Sequence, residues 1–542
     1  MQNVISFALH GRWTIPPSLN PGTRGNDQPN TNLIDAFVAS SFKTPRSGSS
    51  RLPMALLAIL LGLIGSGLCC QSHKSSQHLT ATTSGIITGH WLDDVPCVVE
   101  YLGIPYAKPP VGDLRFEAPH KLDASNGTYY ASDFGHDCPH SAHATPNYPR
   151  LTSQARRIIS YFSSPPGTKH SEDCLTLNIW SKATHGAHGS KKPVFVFFHG
   201  GAFAAGNTNT PFYNGKYLAN EQHLVVITVN YRLGILGFPG APGKTQNLGL
   251  RDQRLAVQWI HDNVESFGGD ARKIIIAGQS AGAVAVDYWA YAYQQDAIVH
   301  GIIAHSGNAL SFPGLSPKEA EEHWAAVVQA VGCGSNVDQI SCVKRVEWTK
   351  MLDAAAAVKA AESNTRLRPM PPFSPVPDDE VVFSNYTALN INGSFAPLPI
   401  LLGNNRDEDK YYAIAAYARG VVATPKESAD FVTDSFTRPV THQAQARHDH
   451  GVASWAYLYQ ADWDNTRLFP GSGAYHGVDL HMIFGASAQV SGLPTTVKQQ
   501  KLTARMQHAW YLFCEDPWNG LAKIGWPRFD MGDDKVVIFG AD

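Results

Sequence analysis

The chain has 542 residues, of which 43% are hydrophobic and 16% are charged, so it can bury a large core of ordinary soluble composition. Its formal net charge is −2, with 43 basic against 45 acidic side chains. This balance, without any basic stripe, argues against nucleic acid as a partner.

The beginning of the chain predicts a leader. Residues 1–53 are rich in Ser, Pro, Asn and Thr and carry few periodic apolar residues. Residues 54–70 open with an apolar block that is shorter than the ~20 residues of a membrane-spanning helix, and basic residues precede it. We interpret 1–53 as a disordered leader or an unused upstream segment, and 54–70 as the hydrophobic region of a secretory signal peptide. Use of the upstream start would instead make the block a short type II membrane anchor.

The cysteines point to the same compartment as the leader. Cys69 and Cys70 lie at the end of the signal region, which leaves six others. The six are Cys97, Cys138, Cys174, Cys333, Cys342 and Cys514. They allow fifteen pairings, so spacing alone leaves the connectivity open, although Cys138 with Cys174 and Cys333 with Cys342 are the pairs nearest in sequence.

Three sequons are candidate glycosylation sites if the chain is secreted. They begin at Asn126, Asn385 and Asn392. Each would then mark a surface position, because an attached glycan needs solvent around it.

Short apolar runs predict strands along the rest of the chain. Gly85–Ile87 and Cys97–Leu102 indicate short antiparallel strands, and the Pro- and Gly-rich run after them forbids a helix. Later runs are nearly continuous, as is typical of parallel strands buried on both faces. The candidates for buried strands are Cys174–Trp180, Pro193–Phe198, Leu224–Val229, Lys273–Ile276, Val299–His305 and Leu398–Leu402.

Helices are predicted between some of these strands. Asn247–Val264 has the apolar spacing of an amphipathic helix, which gives a βαβ unit, and residues 317–361 form a second helical region. Residues 138–174 lack sustained periodicity and contain five prolines, so we expect a functional loop there, a lid or a gorge wall. One large α/β domain with helical insertions, from residue 80 to 542, accounts for this pattern.

The stretch Ile274–Ala283 organises the predicted domain. It runs from β-branched residues through Gly-x-Ser-x-Gly into small, helix-compatible residues, which indicates a strand, a sharp turn and a helix. A serine hydroxyl is a poor nucleophile unless a base takes its proton and backbone N–H groups receive the oxyanion. Such a turn would expose Ser280 in a strained backbone conformation, with Gly278 and Gly282 leaving room for the strand and the helix.

A second glycine-containing loop is predicted at the same edge of the sheet. Phe198–Phe203 contains two consecutive glycines and follows a buried strand, so its backbone can turn out at the carboxyl edge, where α/β sheets bind ligands. Together the two loops could supply the donors of an oxyanion hole.

Five motifs resemble the type-B carboxylesterase/lipase family, which includes the cholinesterases and fungal lipases. They are Ser171–Asn178, His199–Phe203, Asn230–Gly234, Phe267–Asp270 and Gly278–Ala283. The resemblance runs from about residue 83 to the C-terminus and is closest to fungal secreted carboxylesterases. It implies the α/β-hydrolase fold, a central and mostly parallel sheet with helices on both faces and helical insertions, and it implies no metal and no organic cofactor.

The resemblance also implies a catalytic triad of Ser280, Glu408 and His476. The acid and the base lie in segments that match the family's, Gly403–Asp409 and Tyr475–Leu480. The neighbouring Asp407 and His481 are the rivals for these two roles.

Further roles come from the same resemblance. The oxyanion donors would be Gly201, Ala202 and Ala281, and Ser306 would be a second serine that supports the site. The family's loops imply disulfides between Cys138 and Cys174 and between Cys333 and Cys342. Its ion pairs imply structural contacts of Arg115 with Glu172 and of Arg232 with Asp252.

The chain departs from the family at several positions. Gln279 stands where the family often has Glu, and Asp409 replaces the Gly after the acid. The loop between Cys138 and Cys174 contains no Trp, which removes the ring that faces quaternary ammonium groups in cholinesterases, so choline esters are poor candidates. Only 68 positions separate Glu408 from His476, which predicts a trimmed helical cap.

These observations predict a secreted serine hydrolase that cleaves small-molecule carboxylic esters through an acyl-enzyme. A lipase of the same family is the nearest alternative, and it differs in substrate rather than chemistry. A non-catalytic adhesion or binding relative is an alternative of another class, and the intact Ser280, Glu408 and His476 argue against it. No stable membrane association is expected.

Overall fold

A computed structural model describes residues 78–95, 97–141, 147–163, 168–183, 190–312, 314–335, 337–359, 365–532 and 536–540. The predicted leader and signal peptide lie outside these residues. No helix in these ranges is both long enough and apolar enough to cross a bilayer.

The described residues build one mixed sheet of twelve strands. The strands are β1 His78–Thr82, β2 Gly85–Trp91, β3 Val98–Pro105, β4 Thr128–Tyr130, β5 Thr176–Lys182, β6 Lys192–Phe198, β7 Val225–Val229, β8 Gly269–Gln279, β9 Gly301–His305, β10 Ile400–Asn405, β11 Ser454–Tyr459 and β12 Val537–Phe539. Their order is β1-β2-β3-β5-β7-β6-β8-β9-β10-β11-β12, and β4 pairs with β2 outside this path. From β7 through β12 all neighbours are parallel, whereas β1, β2, β3, β5 and β7 pair antiparallel in that order.

Helices cover the sheet and fill the long connections. They are α1 Ala155–Ser163, α2 Lys216–Glu221, α3 Gly234–Gly237, α4 Leu248–Asn263, α5 Ala281–Ala292, α6 Pro317–Ala330, α7 Gln339–Val343, α8 Trp348–Ala356, α9 Tyr386–Ile391, α10 Asp409–Ala418, α11 Pro425–Val432, α12 Arg438–Asp449, α13 Leu480–Ile483, α14 Ser487–Ser491 and α15 Val497–Glu515. A π-helical turn, Thr433–Thr437, joins α11 to α12. The mostly parallel sheet and its helices confirm the predicted α/β fold class.

The central strands form because most of their residues are apolar. Every residue of β6, β7 and β9 is buried, and so is the second half of β8, because helices cover both faces of the sheet. The predicted amphipathic helix is α4, and it connects β7 to β8 across β6. Four parallel strands, β6, β8, β9 and β10, therefore end at the same edge.

The segment between Cys138 and Cys174 differs from the expected loop. It contains helix α1, and the aromatic ring of Phe162 on that helix lines the central pocket. The helix is only nine residues long and has prolines on both sides, so too few turns remain to give a periodic pattern in the sequence. The expectation of a gorge wall agrees with the position of Phe162.

Two disulfides have the predicted partners. Cys138 bonds Cys174, and Cys333 bonds Cys342. Cys514 on α15 is a free, buried thiol. The sequon residues Asn126, Asn385 and Asn392 are all exposed, as expected.

Both ion pairs implied by the resemblance form in the interior. The guanidinium of Arg115 lies 2.6 Å from Glu172, and that of Arg232 lies 2.7 Å from Asp252. All four side chains are buried, so each charge is compensated by its partner. They do not enter the central pocket, whose lining contains neither pair.

Candidate active site

Ser280 lies at the sharp turn between β8 and α5. Its φ of 56° and ψ of −121° are unusual for a non-glycine residue and are typical of a strained turn. The backbone N–H of Ser280 donates to the carbonyl of His305 at 2.9 Å, which ties the turn to the end of β9. The residue is 8% exposed and lines a mainly apolar pocket, so its hydroxyl can meet a ligand.

Two glycines allow this turn, as the sequence predicts. A β-carbon on Gly282 would lie 2.1 Å from the carbonyl oxygen of Phe198, and one on Gly278 would lie 2.2 Å from the backbone of Gly282. Both distances are shorter than any normal contact with a carbon atom. The glycines therefore let α5 approach β6 closely and hold Ser280 beside the loop that follows β6.

Glu408 and His476 form a buried pair. The Nδ1 atom of His476 lies 2.5 Å from Oε2 of Glu408, and the N–H of Asn405 donates to Oε1 of Glu408 at 2.7 Å. Glu408 is fully buried and His476 is 4% exposed. Because an ionised carboxylate only accepts hydrogen bonds, this contact holds the proton on Nδ1 and leaves Nε2 with a lone pair.

The two rival residues face elsewhere. The carboxylate of Asp407 accepts from Arg406 and from the backbone N–H of Ala474, both at 2.9 Å. His481 is buried against Phe212, and neither ring nitrogen has a hydrogen-bond partner among the described residues. Burial lowers the pKa of His481 to about 3, so its imidazole is neutral and has no contact through which to act on the pocket.

The Nε2 atom of His476 has two neighbours, Gln279, which the sequence marks only as a departure from the family, and Tyr412, which no motif singles out. The amide nitrogen of Gln279 lies 2.9 Å from Nε2, and the hydroxyl of Tyr412 lies 3.1 Å away. The Gln279 amide donates to the lone pair of Nε2, which requires the same tautomer as the contact with Glu408. Burial raises the pKa of Tyr412 to about 12, so its hydroxyl stays protonated, and it also lies next to Ser280.

The loop after β6 presents free backbone N–H groups. Gly201 and Ala202 have positive φ angles of 108° and 55°, and no hydrogen bond within the described ranges uses the N–H of either residue. Ala281 is the first residue of α5, so its N–H has no partner inside the helix either. All three residues line the pocket together with Ser280.

Two buried rings hold this loop in place. The hydroxyl of Tyr231 donates to the carbonyl of His199 at 2.7 Å, and the two rings stack at 4.6 Å. Burial lowers the pKa of His199 to about 4, so a neutral imidazole lies 2.8 Å from the carbonyl of Gly200 through Nδ1. The free N–H groups are therefore preorganised before any ligand arrives.

Ser306 contributes to the site through its backbone. Its N–H donates to the carbonyl of Gly403 at 2.8 Å and links the end of β9 to β10. Its hydroxyl is buried and makes no hydrogen bond to any described residue. The expected support of the site by the Ser306 side chain is therefore not matched by a hydrogen bond to any described residue. The hydrogen bond from its backbone to Gly403 is present.

The pocket encloses about 930 Å³ of empty space, part of it open to solvent, and is mainly apolar and aromatic. Phe162, Phe203, Phe312, Tyr411 and Tyr412 are among its lining rings. The missing Trp of the 138–174 loop thus does not leave the pocket without aromatic faces. Arg368 also lines the pocket, and no motif in the sequence singles it out. Within the described ranges no cluster of three or more His, Cys, Asp or Glu side chains is arranged to hold a metal ion.

This geometry can be compared with known proteins. The sequence profile of the Carboxylesterase family matches residues 76–428. The chain belongs to the carboxylesterase family. It is a carboxylic ester hydrolase with the α/β-hydrolase fold, as the sequence predicts.

Two relatives of this carboxylesterase come from fungi. The chain is 31% identical to Secreted lipase 5 of Gibberella zeae over 528 residues, which cover 91% of the chain and 95% of the relative. It is also 31% identical to the chlorogenic acid esterase of Aspergillus niger over 487 residues, covering 85% and 90%.

A solved structure agrees with the fold. A PNB esterase structure superposes with a TM-score of 0.70 at 25% identity and covers 86% of this chain and 96% of that one. The family match ends before His476, whose place in the site rests on its contact with Glu408.

Proposed function

We propose that this carboxylesterase hydrolyses its ester through an acyl-enzyme on Ser280. The observation that carries the proposal is the meeting of three features in one pocket. They are the strained turn at Ser280, the buried Glu408–His476 pair with its lone pair on Nε2, and the free N–H groups of Gly201, Ala202 and Ala281. These are the parts that acyl transfer to a serine requires.

The first half of the reaction forms the acyl-enzyme. The Nε2 atom of His476 takes the proton of Ser280 while Oγ attacks the ester carbonyl carbon. The carbonyl oxygen becomes an oxyanion and accepts hydrogen bonds from the free N–H groups. The tetrahedral adduct then collapses, and the imidazolium protonates the departing alcohol. Glu408 orients His476 and stabilises its charged form throughout.

The second half repeats these steps with water. Nε2 takes a proton from a water molecule, the resulting hydroxide attacks the acyl carbon, and the Ser280 oxygen leaves with the proton that the imidazolium returns. The products are the free acid and the enzyme in its starting protonation state.

In the resting site the Gln279 amide donates a hydrogen bond to the lone pair of His476 Nε2. The contact with Ser280 must therefore form when substrate enters, and catalytic hydrogen bonds commonly tighten at that stage. The hydroxyl of Tyr412 lies next to both Ser280 and Nε2, so it can hydrogen-bond to these groups while the proton moves between them. Ser306 supports the turn through its backbone link to β10.

We also propose that the enzyme is secreted, with a signal peptide at 54–70 and a single catalytic domain over 80–542. Two disulfides support an oxidising compartment, and a relative is itself named as secreted. The exposed Asn126, Asn385 and Asn392 support N-glycosylation. Peptide mapping of the secreted protein would identify the first mature residue and any glycan.

A lipase remains the alternative substrate class, because one relative carries that name. A panel of p-nitrophenyl esters from acetate to palmitate, with an emulsified triacylglycerol beside it, separates the two. Activity that rises sharply at the oil interface would identify a lipase.

Ser280→Ala tests the nucleophile. The variant should lose about 10⁴-fold or more of kcat on p-nitrophenyl butyrate while its melting temperature stays near that of the parent, because only the hydroxyl is removed. Ser306→Ala is the matched control, and since the Ser306 hydroxyl makes no contact to described residues it should change kcat by less than about tenfold. A Ser280→Ala variant within tenfold of the parent would exclude the proposed nucleophile.

A further inference from the structure

Arg368 brings a permanent positive charge into the pocket. The same pocket is lined by Phe312, Met370, Tyr412 and Ser280. No aspartate or glutamate is among the described residues that line this pocket. The cavity therefore combines apolar walls with one guanidinium.

Among the described residues the guanidinium of Arg368 has no acidic partner. Its carbon atom lies 3.4 Å from the ring centre of Phe312, and its buried Nε makes no hydrogen bond to any described residue. The hydroxyl of Tyr412 lies beside it, and no carboxylate in the described part of the chain stabilises the charge. Burial accordingly lowers the pKa of Arg368, although the side chain stays charged at neutral pH.

The arginines that are buried in the described ranges are all paired, whereas Arg368 is only partly buried. Arg115, Arg232 and Arg447 each lie within 3.0 Å of a buried carboxylate. This is the usual arrangement, because an arginine withdrawn from water needs a counter-charge to offset the lost hydration. Arg368 differs from all three in facing a cavity, where an incoming ligand can supply the missing anion.

The positive charge of Arg368 lies close to the atoms that would react. Tyr412 lies between Arg368 and His476, with its hydroxyl 3.1 Å from Nε2. An anion on the guanidinium would thus lie one side chain away from the scissile bond. A carboxylate suits the planar fork of donors that arginine presents, and either the acyl part or the alcohol part of an ester could carry it.

We propose that Arg368 is a carboxylate-binding subsite of the ester pocket, and that the preferred substrates are esters carrying a carboxylate in their acyl or alcohol part. The proposal rests on the ester hydrolysis assigned to Ser280. It names the substrate class of that same site.

Matched pairs of esters test the subsite. In the acyl arm, the p-nitrophenyl half-ester of adipate is compared with the corresponding adipamate, whose amide replaces the carboxylate. In the alcohol arm, the butyrate ester of 3-hydroxybenzoate is compared with that of 3-hydroxybenzamide. We expect kcat/KM to favour the anion by about tenfold or more in one arm, with the preference falling at high salt, because charge-assisted hydrogen bonds are about twice as strong as neutral ones.

Substitutions of Arg368 test whether this side chain causes the preference for anionic esters. Arg368→Gln should bring the ratio close to one, and Arg368→Lys should retain part of it. Arg366→Gln is the control, because Arg366 belongs to the same segment but is exposed and pairs with Glu427 at 3.2 Å, so its loss should leave the ratio unchanged. A ratio near one in both arms of the wild-type enzyme, or a ratio that Arg368→Gln leaves unchanged, overturns the proposal.

Inhibition of the wild-type enzyme keeps the test valid if the variants do not fold. Benzoate should compete with a neutral ester at least about ten times more strongly than benzamide, and equal inhibition overturns the proposal. If the wild-type enzyme fails to hydrolyse even the neutral esters, then the proposed function has failed. If it hydrolyses them without preference, only the subsite has failed.

Discussion

Gln279 shows how one residue next to the proposed nucleophile can set the hydrogen bonds of the resting site. The amide donates to Nε2 of His476 at 2.9 Å, where a carboxylate in this position would accept. A neutral donor and a carboxylate have opposite effects on an imidazole, since only the carboxylate favours the protonated ring. Gln279 therefore adds no charge that would favour the protonated ring, whereas the family's more usual Glu would.

Gln279→Glu tests this effect through the pH dependence of activity. A carboxylate beside Nε2 stabilises the imidazolium, and catalysis needs the neutral ring, so the acidic limb of the kcat/KM profile should move to higher pH by about one unit. Arg368 and the hydroxyl of Tyr412 also lie near this position and would reduce the shift without reversing it.

Gln279→Met is the control for the same experiment. It removes the hydrogen bond but adds no charge, so the acidic limb should stay in place even if the rate changes. An acidic limb that moves equally in both variants would show that side-chain volume, and not charge, controls the base.

At the scale of elements, the contact between α5 and β6 positions two parts of the site together. The helix carries Ser280 at its start, and the loop after the strand carries Gly201 and Ala202. Gly282 lies where the two elements touch, with room for no further atom. A change at this single contact therefore moves the proposed nucleophile relative to the proposed oxyanion donors.

Gly282→Ala should lower stability and activity together. The added methyl group would lie 2.1 Å from the Phe198 carbonyl, and relieving this overlap should cost about 1–3 kcal/mol in the free energy of unfolding. A displacement of about 1 Å at the reacting atoms can reduce kcat by about 100-fold. Thermal unfolding and p-nitrophenyl butyrate hydrolysis measure the two effects.

Gly532→Ala is the matched substitution for that experiment. Gly532 is exposed, and a β-carbon there would meet its nearest atom only at 3.4 Å. This substitution should leave both the free energy of unfolding and kcat near the wild-type values. A Gly282→Ala enzyme with full activity would mean that helix and strand can separate without disturbing the site.

The elements also show what a sequence can predict. Buried parallel strands can be predicted because their apolar runs are continuous. The turn at Ser280 can be predicted because only glycine fits at positions 278 and 282. Helix α1 is too short, and too closely flanked by prolines, to give a period. The contacts of Tyr412 and Arg368 depend on how distant segments pack, and neither residue belongs to a recognisable motif, so only the folded chain brings them to the pocket.

At the scale of the whole molecule, a nearly neutral chain still presents a charged cavity. The net charge of −2 arises from residues spread over the entire sequence. Among the described residues that line the pocket, in contrast, the permanent charge is that of Arg368. Aromatic rings in the same cavity would attract a cation by ~0.5 to 2 kcal/mol, and the guanidinium opposes that attraction. Selectivity for charge thus follows from the pocket and not from overall composition.

Butyrylcholine should therefore be no better a substrate than the neutral isostere 3,3-dimethylbutyl butyrate. The quaternary ammonium loses hydration on entry and meets a like charge, while the tert-butyl group needs no compensation. Measuring kcat/KM for both esters at several salt concentrations tests this expectation. A preference for the cation above about tenfold that weakens with salt would reveal an anionic or aromatic site that outweighs Arg368.

The strand order has a consequence for rearranging the chain. β1 and β12 lie at opposite edges, ten inter-strand spacings apart, which at ~4.8 Å each amounts to roughly 48 Å. A circular permutant that joins Phe539 to His78 would need a linker of roughly 15 residues even if fully extended, and more to pass around the helices. New termini are better tolerated in exposed loops far from the carboxyl edge of the sheet, such as the turn near Gly532, because cutting there leaves β6, β8, β9 and β10 continuous with the loops they carry.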